Sequence, residues 1–225
     1  MPKTDVTTWY LEFEGATPAP PTWPPGVQLV EAVTPNPEWS QFLFCAVGRR
    51  FGWYSRLSWD YGQWRDLLLG GDVRTWVLWH GGTPAGYLEL VRHVGDVAGA
   101  GPGGAGGSAG QEALGPGAGL DDASWLQEVG AGVEVKFLGL LPAFCGLGLG
   151  SGLVRASVHL AREWAPGAVW LHTCSADHPA ALRLYEREGF VVRRTAFAVE
   201  DIPDADDPRQ LCAPFVRSAI RFHGA

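Results

Sequence analysis

The amino-acid sequence predicts an α/β domain, and three observations carry that expectation. Short runs rich in β-branched and aromatic residues are interleaved with stretches whose apolar residues recur every three or four positions, so strands alternate with amphipathic helices. Hydrophobic residues make up 46% of the 225 residues and charged ones 18%, enough to bury one core and to exclude global disorder. The pattern breaks between Gly95 and Gly119, where 11 residues are glycine and 6 are alanine. Such a segment buries too little apolar surface to offset its ordering entropy and reads as a disordered, flexible insertion within a single domain spanning 1–225.

The elements follow in order. Residues 7–13 (TTWYLEF) and 27–33 (VQLVEAV) have strand composition, and the Pro-rich PAPPTWPPG between them is an extended connection. PEWSQFLFCAV, from Pro37, is helical, and a second helix starts near Asp60, whose carboxylate caps it. TWVLWH and AGYLELV form a hairpin with Gly81 and Gly82 in the turn. After the insertion, whose far end Trp125 and Leu126 pin, GVEVKFLGLL (132–141) is a strand followed by a glycine-rich turn. Leu149 to Trp164 then places Leu149, Leu153, Ala156, Leu160 and Trp164 on one helical face. AVWLHTCS (168–175) is a strand, 178–188 a short helix ended by Gly189, and FVVRRTAFAV a further strand. Residues 201–225 form a C-terminal extension to which the pattern assigns no structure.

Composition narrows the function classes. Seventeen Lys and Arg against 24 Asp and Glu give a net charge of -7, which disfavours a nucleic-acid scaffold and favours cationic ligands such as amines. Cys45, Cys145, Cys174 and Cys212 are far apart and form neither a disulfide framework nor a zinc ribbon. The N-terminal MPKTDVTTWYLEFEG has no apolar signal core. The uncharged run Phe137–Val154 is broken by five glycines and Pro142, so it reads as no membrane span. A cytoplasmic protein with reduced thiols and no membrane or nucleic-acid partner is expected.

The chemistry is concentrated in two motifs. CGLGLGSG (145–152) follows a strand and opens a helix, where glycines let backbone amides approach a phosphate and the helix N-terminus adds partial positive charge. The P-loop lysine is absent, and the dinucleotide fingerprint fails because Ser151 and Leu153 stand where its third glycine would. HPAALRLYEREGF (178–190) supplies a short helix with Tyr185 one turn before its terminal glycine. The sequence here resembles the GNAT superfamily of acyl-CoA-dependent N-acetyltransferases. Gly148 and Gly150 match its first signature, with Cys145 in place of the usual polar residue. Ala181, Leu184, Tyr185, Gly189 and Phe190 match the second, with His178 in place of asparagine.

The resemblance covers roughly residues 27–200 and implies a mixed, largely antiparallel twisted sheet flanked by helices. It implies acetyl-CoA as acyl-donor cosubstrate, its pantetheine beside Leu138, Gly139 and Leu140. The pyrophosphate would lie on Cys145, Gly146, Leu147, Gly148, Leu149, Gly150 and Ser151, with His178 also contacting the cofactor. Tyr185, beside the cofactor, matches the position that protonates the leaving thiolate; its other reading is an aromatic packed on the adjacent strand. Glu134, fourteen residues before Gly148, has the spacing of a glutamate base, or else is an exposed carboxylate paired with Lys136 on the same strand face. His172 is a rival base, pointing either to the helices or into the cleft. A metal site from His172, Cys174 and His178 lacks a fourth ligand, and none is expected.

On the acceptor side, residues 51–64 cluster six aromatics. Trp53, Tyr54, Arg56 and Asp60, with Tyr87 and Glu89 on a common strand face, are the candidate substrate residues. The expected reaction is direct acetyl transfer to a primary amine on a small molecule or peptide N-terminus, with a homodimer as a superfamily expectation. The alternatives are a non-catalytic acyl-CoA sensor and an acyltransferase with a longer donor.

Overall fold

The computed structural model describes residues 3–94 and 120–202. Strand β1 (Lys3–Phe13) is followed by the proline-rich connection and β2 (Val27–Glu31). Helix α1 (Pro37–Gly48) starts where the Asn36 side chain accepts the Trp39 N–H at 2.8 Å, with Pro37 in the first turn. Helix α2 (Tyr61–Leu69) starts on a reciprocal cap: Asp60 accepts the Gln63 N–H and Gln63 accepts the Asp60 N–H, both at 2.9 Å. β3 (Val73–His80) and β4 (Thr83–His93) are the expected hairpin. Then come α3 (Leu120–Val129), β5 (Gly132–Leu140), a 3-10 turn over Pro142–Phe144, α4 (Leu149–Trp164), β6 (Ala168–Cys174), α5 (Ala181–Arg187) and β7 (Phe190–Asp201).

The seven strands form one sheet in the order β2-β3-β4-β5-β6-β1-β7. Every neighbouring pair is antiparallel except β5 and β6, which run parallel over Gly132–Glu134 against Ala168–Trp170. A mixed, largely antiparallel sheet is therefore what the chain folds into. Helices α1 and α2 cover one face through Leu43, Phe44, Val47, Trp64 and Leu67. Leu153, Val154, Val158 and Ala161 of α4, with Tyr185 of α5, cover the other. The buried stripe of α4 is thus centred slightly off the expected one, with Leu160 and Trp164 only partly buried at its margin.

Two features of this sheet shape everything that follows. The first is a bulge: Glu89 pairs with Phe137 and Leu90 with Val135, leaving Lys136 as an extra residue in β5. Val133 and Val135 pack toward α4 before the bulge, whereas Phe137 packs toward α1 after it. The second is the place of β1, which lies between β6 and β7, with Tyr10 opposite both His172 and Arg194. To reach β2 at the opposite edge, the proline-rich connection passes over α4. Trp23 packs there where a Cβ on Gly152 would come within 2.7 Å of its ring, and the Pro18 carbonyl lies 3.2 Å from His159 Nδ1.

Several expectations are refined. The first strand begins at Lys3, and helix α3 was not anticipated; it stands between the insertion and β5, so the insertion does not join two strands directly. Trp125 of α3 is buried against Tyr10 and Trp170. The run Phe137–Val154 spans the end of β5, a turn and the start of α4. Among the described residues, no helix is long and apolar enough to cross a membrane. The expectations for 95–119 lie outside the described residues, as does the extension beyond Ile202; its first residue, Asp201, ends β7.

Candidate active site

Beyond Glu134 and Trp170 the strands β5 and β6 part, because the bulge turns β5 aside while β6 continues along β1. The edge of β5 from Val135 to Leu140 that faces β6 is left without a strand partner, and a cavity of about 440 Å³ opens between the two strands. Lys136, Leu138, Gly139 and Leu140 line one wall. His172 and Cys174 of β6, Tyr10, Thr8 and Val6 of β1, and Ala198 and Glu200 of β7 line another. Phe51, Trp53 and Tyr54, from the loop after α1, and Leu184 and Tyr185 of α5 complete it.

One end of the cavity is the glycine-rich turn, where Cys145, Gly146, Gly148, Gly150 and Ser151 are exposed to it. Gly148 is the N-cap of α4 at φ 77°, a left-handed conformation that favours glycine, and no side chain caps the amides of the first turn. Sixteen aligned residues direct the positive end of their dipole at this spot. Arg187 adds a guanidinium there, its Nη2 2.7 Å from Ser151 Oγ. Uncapped amides, a left-handed glycine and an arginine fit a diphosphate. The Cys145 thiol lies near the Leu141 carbonyl at 3.6 Å, Leu147 is exposed away from the cavity, and the Leu149 side chain is buried against Val27, Leu78 and Ala85. Of that stretch, Leu147 and Leu149 therefore present no side chain to the cavity.

At the fork itself stands Glu134, 2% exposed and absent from the cavity lining. Its carboxylate meets His93 Nε2 at 2.9 Å, Lys136 Nζ at 3.0 Å and His172 Nδ1 at 3.5 Å. Burial pushes its pKa up, but the Lys136 charge and the hydrogen bonds from His172 and His93 outweigh that and hold it well below the usual carboxylate range. Glu134 thus has the expected Lys136 partner but not the expected exposed face, and its low proton affinity suits an anchor better than a base. His172 lines the cavity with 31% of its side chain exposed. A carboxylate at Nδ1 keeps the proton on that nitrogen and makes Nε2 the basic one.

Tyr185 also lines the cavity, packed edge-on against Phe190, and its hydroxyl makes no hydrogen bond among the described residues. Burial, helped by the Asp177 charge, raises its pKa and keeps it protonated. His178 lines the cavity mouth, where its Nδ1 accepts the Ala180 N–H at 3.1 Å and its ring meets Phe51.

The acceptor-side expectations divide. Trp53 and Tyr54 face the cavity. Arg56 and Glu89 do not: they form an ion pair at 2.8 Å, each 2% exposed, with the guanidinium over the rings of Trp59, Trp64 and Phe137. Tyr87 is buried behind Trp53, ring against ring at 6.0 Å, and Asp60 is spent as the cap of α2. These four are corrected from substrate contacts to framework, because Tyr87 and Glu89 lie on a hairpin face roofed by Trp53 and Phe137, Arg56 is held onto that face by its pair with Glu89, and Asp60 is turned to the start of α2. Conversely, sequence reasoning missed Arg187, Asp177, Glu200 and the β1 residues. Arg187 lies within the second motif, two residues after Tyr185, and was within reach; Glu200 and Tyr10 enter only through strand pairing over long separations.

No curated protein matches the chain. Among solved structures, a GCN5-related N-acetyltransferase from Sphaerobacter thermophilus is 14% identical, with a TM-score of 0.47 over 88% of this chain and 51% of that one. A putative GNAT-family acetyltransferase from Novosphingobium aromaticivorans is 16% identical, with a TM-score of 0.46 over 87% and 64%. A functionally unknown conserved protein from Staphylococcus epidermidis is 12% identical, with a TM-score of 0.48 over 88% and 62%. The chain thus spans about half to just under two thirds of the length of these structures. The model of the acetyltransferase (GNAT) family matches residues 38–190, well over half of the sequence and the whole stretch from α1 to the start of β7. The chain belongs to that family.

Proposed function

We propose that this acetyltransferase moves an acetyl group from acetyl-CoA to a primary amine by direct attack in a ternary complex. The observation that carries the reading is the cavity at the fork of β5 and β6, with a glycine-rich turn of uncapped amides at one end and His172 and Tyr185 on its walls. When bound, acetyl-CoA supplies an activated acyl group as a thioester. The amides of Gly146 to Ser151, with Arg187, hold the diphosphate, His178 lies at the mouth beside it, and the unpaired edge of β5 at Leu138–Leu140 offers backbone partners to the pantetheine amides.

The chain's own groups then manage two protons. His172 Nε2 takes one from the acceptor nitrogen, and Glu134, a positioning residue, fixes the tautomer and stabilises the imidazolium. The new bond joins nitrogen to the acyl carbon, the carbon–sulfur bond breaks, and the Tyr185 hydroxyl gives its proton to the departing sulfur. One proton thus leaves nitrogen and one reaches sulfur, with no covalent enzyme intermediate. The test is release of free thiol from acetyl-CoA across a panel of primary amines. Amine-dependent release is expected; acetyl-CoA binding without release for any amine overturns the reading in favour of a sensor.

A further inference from the structure

We infer that Glu200 is a specificity-determining residue of the acceptor site and that the acceptor is a linear di- or polyamine, acetylated at one nitrogen while a second, charged nitrogen sits at the Glu200 carboxylate. This rests on the acetyltransferase reading of the same cavity.

The charges that line the cavity are unequally used. Lys136 is committed to Glu134 at 3.0 Å, and Arg187 to Ser151 beside the glycine turn. Asp177 is engaged by three donors: Oδ1 accepts from Trp53 Nε1 at 3.2 Å, and Oδ2 accepts from Thr173 Oγ1 at 2.7 Å and from the Cys174 N–H at 3.1 Å. Glu200 differs. Its Oε2 accepts the Tyr54 hydroxyl, and its Oε1 has no hydrogen bond or ion pair among the described residues. The Tyr54 hydroxyl and the Cys174 thiol beside it are neutral, because burial, helped by nearby carboxylates, raises the pKa of both, the latter to about 12. A carboxylate without a cation among the described residues, in a cavity walled by Phe51, Trp53 and Tyr54, is complementary to an ammonium held by charge and by aromatic faces together.

The sheet register sets the acceptor's shape. On the cavity face of β1, Tyr10 stands opposite His172, Thr8 opposite Cys174, Val6 opposite Ala198 and Thr4 opposite Glu200. His172 and Cys174 are alternate residues of one strand, about 7 Å apart, and Glu200 lies further along the same direction. The base and the unpaired carboxylate are therefore at opposite ends of this wall. Their positions are six residues of β1 apart, about 20 Å of backbone, so a short monoamine meets one of them, whereas a long extended chain with a charge at each end meets both.

The test uses calorimetric binding of the protein to N,N,N′,N′-tetramethyl-α,ω-diaminoalkanes of five, eight and ten carbons, the tightest of which is taken as the dication, and to N,N-dimethylpentylamine, tertiary amines that cannot form a stable amide. The dication is expected to bind at least tenfold more tightly, with the advantage shrinking as salt is raised. Glu200→Gln is expected to erase the advantage while leaving the thermal shift caused by acetyl-CoA intact, which also shows that the variant is folded. Equal binding of the two amines by the wild type, or an undiminished advantage in Glu200→Gln, overturns the proposal. In turnover, spermidine should exceed pentylamine by a similar factor in kcat/KM, and Glu200→Gln should remove that factor through KM. Tight, Glu200-dependent dication binding without thiol release from any amine would instead leave the binding role standing and refute acetyl transfer.

Discussion

Replacing Glu134 by glutamine leaves the groups on His93, Lys136 and His172 gathered around a neutral amide. Breaking a buried ion pair of this kind costs about 3–5 kcal/mol, so Glu134→Gln is expected to lower unfolding free energy by about that much at neutral pH. Because the folded pKa of Glu134 lies below its unfolded value, its contribution is complete above the unfolded value of about 4.3 and is lost as pH falls toward the folded one. Urea denaturation at a series of pH values should therefore show wild type and variant far apart at pH 7 and converging in acid. Tyr185→Phe keeps the ring against Phe190 and removes only the hydroxyl. Acetyl-CoA binding should survive, as read by calorimetry, while turnover falls by about 10²-fold or more. Tyr185 was legible because its neighbours in sequence form the motif around it. The anchoring of His172 by Glu134 was not, since it depends on how β4, β5 and β6 lie side by side.

At the scale of elements, the site is held open by a narrow splice. β5 and β6 are in register only from Gly132 to Glu134, and a Cβ on Gly132 would stand 2.2 Å from the Ala168 carbonyl oxygen. Gly132→Val should force the strands apart where they are needed together, with a loss of about 3 kcal/mol or more in denaturant titrations. At the far end of β5, Gly148→Val would place a β-branched residue at φ 77° in the N-cap of α4. The expected outcome is loss of the acetyl-CoA-induced rise in unfolding temperature. Helices α1, α2, α4 and α5 and most strands were readable from periodicity, and the caps at Asp60 and Gly189 were readable from residue type. Helix α3 escaped because Trp125 and Leu126 read as a pin beside a glycine-rich segment rather than as part of successive turns. The bulge at Lys136 escaped too, since an extra residue in one strand shows only against its partner.

For the whole molecule, the fit of the cradle to a diphosphate makes a discriminating expectation. Acetyl-CoA at about one hundred times its dissociation constant should stabilise the protein by about 2.7 kcal/mol in a thermal scan, whereas NAD and ATP, lacking the pantetheine arm that β5 would receive, should not. A family assignment was legible from two motifs that together span Cys145 to Phe190. The strand order was not. Nothing local in TTWYLEF distinguishes an edge from the interior of a sheet, and its partners lie at the other end of the chain.

That placement of β1 bears on synthesis. A ribosome delivers Lys3–Phe13 more than 150 residues before the strands that flank it, Ala168–Cys174 and Phe190–Asp201. Until they emerge, Tyr10, Leu11 and Phe13, which end up buried, have no sheet to enter, and both edges of β1 remain unpaired. The half built from β2, β3 and β4 can collapse onto α1 and α2 while the chain is still growing. The acceptor wall cannot, because Tyr10, Thr8 and Glu200 meet only after more than nine tenths of the described chain has left the tunnel. The binding cavity is thus among the last features to form, and a stalled chain ending before β6 would present a free apolar strand to chaperones.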